Sequence, residues 1–377
     1  LGGPGAIFWM WIIAIVGCCT KYVEIALAMK YREKNEAGEW VGGSFSYVKQ
    51  LFGGKKLGYG IAIFCAFFTM IAGLPSVASQ ALSAAAQVAT FGLNKTVFGV
   101  IIAALVGVIV FGGIKRISSV MEKMVPFMAA LYMIGVLIII AMNPGEILPA
   151  FGSIFKYAFA PHAAVGGFAG STMALALRWG GARGVYSNEA GFGSAPIVHC
   201  TSNADHPIRQ AVWGVFEVSV DTLLVCTATA LAVLVTGVWE DPAVDSGALG
   251  QAAFHSVFGV AGDYFVAICV FMFVITTITV VIFYDEKQAE FLFKTTKAAV
   301  AWRVLSIITM VGVTFGVDLV VMYQLSDFFN ALFIIPNMVA VIWLVPQVKT
   351  LQQEYFNTPG KYYLADLAEK EAKKAGK

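Results

Sequence analysis

Apolar runs separated by short polar connections recur along this chain, and nine can be delimited: about residues 6–29, 57–91, 96–114, 125–142, 160–178, 211–237, 263–284, 303–322 and 325–346. A helix rises 1.5 Å per residue, so roughly 20 residues cross ~30 Å of hydrocarbon. Each run reaches or approaches that length. The pattern predicts an all-α, polytopic membrane protein with nine transmembrane helices. The second run is too long for a perpendicular crossing and is expected to tilt or bend, most simply at Gly73-Leu74-Pro75. Short connections argue for one transmembrane domain over residues 1–348, followed by a charged tail over 349–377 with Lys and Glu near helical spacing.

Composition agrees with that reading. The chain is 59% hydrophobic and 13% charged, with a mean hydropathy of +0.78, outside the range of soluble domains. The net charge of +2 says little, but the distribution of its 25 Lys and Arg says more. If the first run passes from outside to inside, alternate connections and the tail collect all but three of these cations. Lys95 and Lys156 fall on the opposite side and Lys21 within the first run. The positive-inside rule then predicts a cytoplasmic location for residues 30–56, 115–124, 179–210, 285–302 and 347–377, in a multi-pass protein of the inner cell membrane with a cytoplasmic C-terminus. Five of six cysteines (Cys18, Cys19, Cys65, Cys226, Cys269) lie in the runs, which fits small core residues better than a disulfide framework. The first residue is Leu, and the chain reads as beginning partway through a longer protein.

Polar groups at membrane depth carry the candidate chemistry. Gly166, Gly167, Phe168 and Gly170 sit in a run too rich in glycine for a good transmembrane helix. Either the helix opens there and its backbone groups coordinate cargo, or the glycines serve close helix packing. Ser76, Gln80, Ser83 and Gln87 share one helical face, for interhelical bonding or for substrate contact by Gln80. Glu217 and Asp221, one turn apart, suit ion or proton coupling, gating, or structural pairing with Lys21 or Arg178. Thr276, Thr277 and Thr279 offer hydroxyl oxygens to a hard cation such as Na⁺, or bond to their own i−4 carbonyls. His199, Cys200 and His206 match no common zinc spacing. Gly53-Gly54-Lys55-Lys56 lacks the rest of a phosphate loop, and no nucleophile–base pairing points to an enzyme.

Several stretches resemble the alanine or glycine:cation symporter family (sodium:alanine symporters). They are Leu1-Gly-Gly-Pro-Gly-Ala-Ile-Phe-Trp-Met-Trp11 with Thr20-Lys21-Tyr22-Val23-Glu24, Gly166-Gly-Phe-Ala-Gly170, Ala182-Arg-Gly184 with Ser187-Asn-Glu-Ala-Gly-Phe-Gly-Ser-Ala-Pro196, Asp221-Thr222, and Asp327 through Asn330 continuing to Ile335-Pro-Asn337. Their order and spacing agree with the family from residue 1 to about 350. The resemblance implies a LeuT-like fold of two inverted five-helix repeats. The nine runs would be core helices two to ten, the family's extra N-terminal helix and core helix one being absent from this sequence.

The resemblance also implies roles. Gln80, Gly166, Gly167, Phe168, Gly170 and Thr277 would bind substrate, Thr276 and Thr277 would bind the coupling cation, and Glu217 and Asp221 would gate or couple. The Ser187–Pro196 signature reads as a structural or gating element. The implied function is symport of small neutral amino acids with Na⁺ by alternating access. The partners would be the amino acid, Na⁺ and the lipid bilayer, with no cofactor, no metal beyond Na⁺, no nucleic acid and a monomeric state. The alternatives are a transport-inactive truncated protein and a proton-coupled carrier. Three departures stand out: Leu82 and Leu175 replace the family's Asn and Gln, and Val281 replaces a Trp. The loss of that ring predicts a larger pocket with a less strict preference for alanine and glycine.

Overall fold

In the computed structural model, residues 2–35, 38–89, 91–92, 94–159, 173–244 and 247–375 are described. Among these described residues, sixteen α-helices follow one another: α1 (Gly5–Lys30), α2 (Ser44–Val48), α3 (Leu51–Gly54), α4 (Lys56–Ala89), α5 (Lys95–Val110), α6 (Gly113–Met142), α7 (Ile147–Phe159), α8 (Met173–Asn188), α9 (Ala195–His199), α10 (Pro207–Val218), α11 (Thr227–Val235), α12 (Leu249–Phe258), α13 (Val260–Phe293), α14 (Thr296–Gly312), α15 (Leu319–Asn357) and α16 (Tyr362–Ala375). A π-helix over Ser219–Cys226 joins α10 to α11. Two short strands, β1 (Glu33–Lys34) and β2 (Trp40–Val41), pair antiparallel in the first charged connection.

Among the described residues, seven helical stretches are long and apolar enough to cross a membrane; α5, at 16 residues, is shorter. Residues 160–172, which hold most of the fifth run, lie outside the described residues. Helix ends depart from the hydropathy boundaries where polar residues remain helical. Helix α13 continues to Phe293 and α14 begins at Thr296, so the connection expected over 285–302 shrinks to Lys294 and Thr295. Lys294 ends α13 in the left-handed conformation, and the Thr295 side chain accepts the Lys297 N–H at the start of α14. Helix α4 runs through Pro75 for 34 residues, and α15 carries on past residue 348 to Asn357.

The chain forms two compact units. The first comprises Leu1–Ile15, Met70–Asn188 and Ser219–Phe328. One of its cores joins Val77, Ala78 and Ala81 of α4 to Ile102 and Val106 of α5, Val274, Ile275, Ile278 and Ile282 of α13, and Met310 of α14. A second joins Val136 and Ile139 of α6, Ile154 of α7, Leu231 of α11 and Phe254 of α12. The glycines near the chain start bring helices close. A Cβ on Gly180 would meet the Ala6 carbonyl, and one on Gly5 would meet the backbone at Tyr157. The Trp9 indole donates to the Ala158 carbonyl at 3.0 Å, and that of Trp11 to Thr227 Oγ1 at 2.7 Å.

The second unit comprises Val16–Thr69, Glu189–Val218 and Phe329–Lys377. Its interior combines Ile25, Leu27, Tyr47, Leu51, Ile197 and Ile208 with two buried charged residues, Lys21 and Glu24.

Candidate functional site

Helices α4 and α13 carry the hydroxyl and amide groups expected to hold cargo, and the first unit's core packs them together. Gln80 lies between Val77 and Ala81, and Thr277 beside Ile278, all three neighbours belonging to that core. Gln80 is half-buried and makes no hydrogen bond among the described residues. Thr276 is buried; its hydroxyl donates to the Phe273 carbonyl at 2.8 Å and lies 3.2 Å from that of Met272. Thr279 Oγ1 likewise donates to the Ile275 carbonyl at 2.7 Å. Donating to the helix's own backbone uses the hydroxyl proton but leaves oxygen lone pairs, the half of the group that a cation takes. Thr277 is exposed. On the same face of α4 as Gln80, Ser83 Oγ bonds to the Tyr323 hydroxyl at 3.2 Å, so at least one hydroxyl of that stripe serves helix packing. Gly166, Gly167, Phe168 and Gly170 lie outside the described residues. Leu82 and Val281 pack against the core of α4, α5, α13 and α14.

The two acidic residues of the sixth run part company. Glu217 lies in α10, whereas Asp221 lies in the π-helix. Asp221 Oδ2 accepts the Ser187 hydroxyl at 2.7 Å and the Thr222 hydroxyl at 2.8 Å, while Asn188 Nδ2 donates to Thr222 Oγ1 at 3.1 Å. This polar set belongs to the first unit and ties the end of α8 to the π-helix. Glu217 belongs to the second unit, where Lys21 Nζ lies 3.1 Å from Oε1 and His199 Nε2 3.2 Å from Oε2. Of the two cations weighed as partners, Lys21 pairs with Glu217. Its ammonium is buried, and such a charge needs a counter-ion. Gly214 leaves room for its stem.

The Ser187–Pro196 signature forms the second polar centre of that unit from Glu189 onward. Glu189, Gly191 and Gly193 all adopt positive φ (55°, 91° and 71°), a tight turn that a Cβ at either glycine would obstruct. The Gly191 N–H donates to Glu24 Oε2 at 3.0 Å. Asn337 Nδ2 donates both to Glu24 Oε1 at 2.6 Å and to the Gly191 carbonyl at 2.8 Å. The buried Tyr47 hydroxyl donates to Asn337 Oδ1 at 2.6 Å, and burial holds that phenol well above its ordinary range. Ser194 Oγ closes the turn onto Glu189 Oε2 at 2.7 Å. Alongside, the Arg32 guanidinium donates to the carbonyls of Cys200, Ser202 and Ala204. Burial pushes the Cys200 thiol up to about 12 against the pull of Arg32.

Three sequence motifs separated by over three hundred residues thus meet on one turn: Thr20–Glu24, Ser187–Pro196 and Ile335–Asn337. Tyr47 and Gln210, which bonds His199 at 2.8 Å, were not legible as members of these networks. Each is an ordinary polar residue in a charged connection, and its role comes from a partner distant in sequence. Among the described residues, no group of His, Cys, Asp and Glu could hold a metal ion.

A family model described as the sodium:alanine symporter family matches residues 1–365. An uncharacterized transporter of Bacillus subtilis, YflA, is 42% identical, over 97% of this chain and 77% of its own length. The sodium/alanine symporter AgcS of Methanococcus maripaludis is 36% identical, over 91% of this chain and 76% of its own length. A probable sodium/glutamine symporter of Bacillus subtilis, GlnT, is 35% identical, over 94% of this chain and 73% of its own length. Apolar helices of membrane-crossing length, motifs converging on one glycine turn and a match along almost the whole chain place this protein in the sodium:alanine symporter family, whose members are sodium-coupled amino-acid transporters and not enzymes.

Proposed function

We propose that this protein carries small neutral amino acids of the alanine and glycine class across the cytoplasmic membrane together with Na⁺, by alternating access within a LeuT-like fold. The observation that carries this reading is the packing of α4 against α13 through a shared apolar core, which holds Gln80 and the Thr276–Thr277 pair on neighbouring helices of a family member. In this reading Gln80 and Thr277 contact the substrate, and the two threonine hydroxyl oxygens serve Na⁺, a hard cation that prefers oxygen. Gly166, Gly167, Phe168 and Gly170 supply backbone groups and an aromatic lid. Glu217, paired with Lys21, and Asp221, held by Ser187, act as gating contacts that break and re-form as the transporter changes state. Na⁺ is the coupling ion, and no other cofactor is needed.

The reading is tested by uptake of labelled alanine into proteoliposomes under an inward Na⁺ gradient. Saturable uptake that collapses when the gradient is removed is expected, and Thr276→Ala should raise the Na⁺ concentration needed for half-maximal uptake by about tenfold, on the order of 1.4 kcal/mol of binding. Unlabelled glycine, alanine and glutamine compete in the same assay. Competition by glutamine as strong as that by alanine would replace the small-substrate class with a broader one, and uptake indifferent to Na⁺ would overturn the coupling.

A further inference from the structure

Near the C-terminal end of α13, Asp285 is 1% exposed in the first unit. Among the described residues, the hydrogen-bond donor on it is the Trp302 indole, with Nε1 at 3.3 Å from Oδ2. Its carboxyl lies against Gly73 of α4, so closely that a Cβ on that glycine would run into both oxygens. An ionised carboxylate left without a counter-charge in an apolar interior is strongly disfavoured, and the group neutralises instead.

Cations on the surrounding elements are engaged or exposed. Arg303 of α14 is clamped by the neighbouring Glu286, with Nε to Oε1 at 2.6 Å and Nη2 to Oε2 at 2.7 Å. Lys287 is held by Glu290 at 3.0 Å. The stretch of α4 in this unit carries no charged residue. On α5, α6 and α14, Lys95, Lys115, Arg116, Lys123 and Lys297 are exposed, as is Glu122. His255 of α12 pairs with Asp263. Among the described residues, none of these forms an ion pair with Asp285.

A metal ion fits less well, because the indole N–H points at an oxygen that a cation would need and hard cations require several oxygen ligands.

We propose that Asp285 is a proton-binding site of this protein, a carboxylic acid that stays neutral while α13 is closed on Gly73 and Trp302. Protonation and closure are linked: whatever parts these contacts and admits water favours release of the proton, and proton binding favours closure by the same factor. This assignment stands apart from the amino-acid reading, since it needs neither substrate nor transport.

Infrared spectroscopy of the full chain in lipid tests it through the carbonyl stretch of a protonated carboxylic acid, measured near neutral pH. A band in the unmodified protein that Asp285→Asn deletes is expected. Trp302→Phe, which keeps the acid and removes the indole N–H, should shift that band without deleting it, so the assignment can be read even if the asparagine variant folds poorly. Absence of such a band, a band indifferent to both substitutions, or its loss on adding Na⁺ at constant pH would each overturn the proposal. None of these outcomes depends on whether alanine is carried.

Discussion

The ring of His206 lies between Tyr355 and Tyr362, with centroids 5.1 and 4.5 Å away, and is almost fully buried. Its Nδ1 accepts the Ile208 N–H at 3.2 Å and so caps the start of α10, which places the remaining proton on Nε2. Burial draws its titration below the usual histidine value, outweighing the pull of Glu354, whose Oε2 is 3.9 Å away. The sign follows from linkage: the unfolded chain takes up the proton first as pH falls, so the neutral ring supports the fold fully above the ordinary value, and that support is lost progressively on acidification. Amide exchange over α10 should therefore be faster at about pH 5.5 than at about pH 7.5 once corrected for intrinsic rates, and His206→Asn, which keeps a cap acceptor, should remove most of the difference. Equal protection at both pH values in the unmodified protein would show that the ring does not couple to the helix. Asn337 makes the contrasting case. It does not titrate, yet it satisfies Glu24, Gly191 and Tyr47 at once. Sequence marked it only as one letter of a motif, because the three groups it serves lie far apart along the chain.

Helix α10 passes into the π-helix, and Glu217 and Asp221 find different partners on the two elements. In the sequence, four residues apart, the pair reads as one acidic site. In the structure Asp221 meets Ser187 within the first unit and Glu217 meets Lys21 within the second. Both contacts of Asp221 are accepted hydroxyl hydrogen bonds, and a carboxamide oxygen can accept the same donors. Asp221→Asn is therefore expected to keep Na⁺-dependent uptake within about threefold of the unmodified protein, a difference below ~1 kcal/mol. Loss of coupling with binding retained would instead make Asp221 a proton relay. Hydropathy located this run well but could not register the π-turn or the partners of its acidic residues, because apolar periodicity carries neither. Helices α13 and α14 teach the same point. Asp285, Glu286 and Lys287 looked like a polar connection, yet the helix holds them because Arg303 neutralises Glu286 and α4 covers Asp285.

At the scale of the whole molecule, the distribution of cations predicts that the charged connections and the tail share one side of the membrane. A fluorescent reporter that folds only in the cytoplasm, fused after Lys377, should be bright, and an external-side alkaline phosphatase fused there should be inactive. The reverse result would invert the orientation. What this chain's letters determined by themselves was its membrane nature, the place of most of its helices and its kinship, because burying apolar side chains in lipid is a local demand that each segment meets on its own. Gln80, Thr276 and Thr277 stand out in the sequence for the same reason, as polar groups where hydrocarbon does not tolerate them, and the roles proposed for them await the uptake assays. Tertiary structure decided which polar groups meet: Lys21 with Glu217, Asn337 with Glu24 and Gly191, and Asp285 with Gly73. A buried charge or amide takes its meaning from the partner that satisfies it, and pairings across so many intervening residues exist only once the helices have packed.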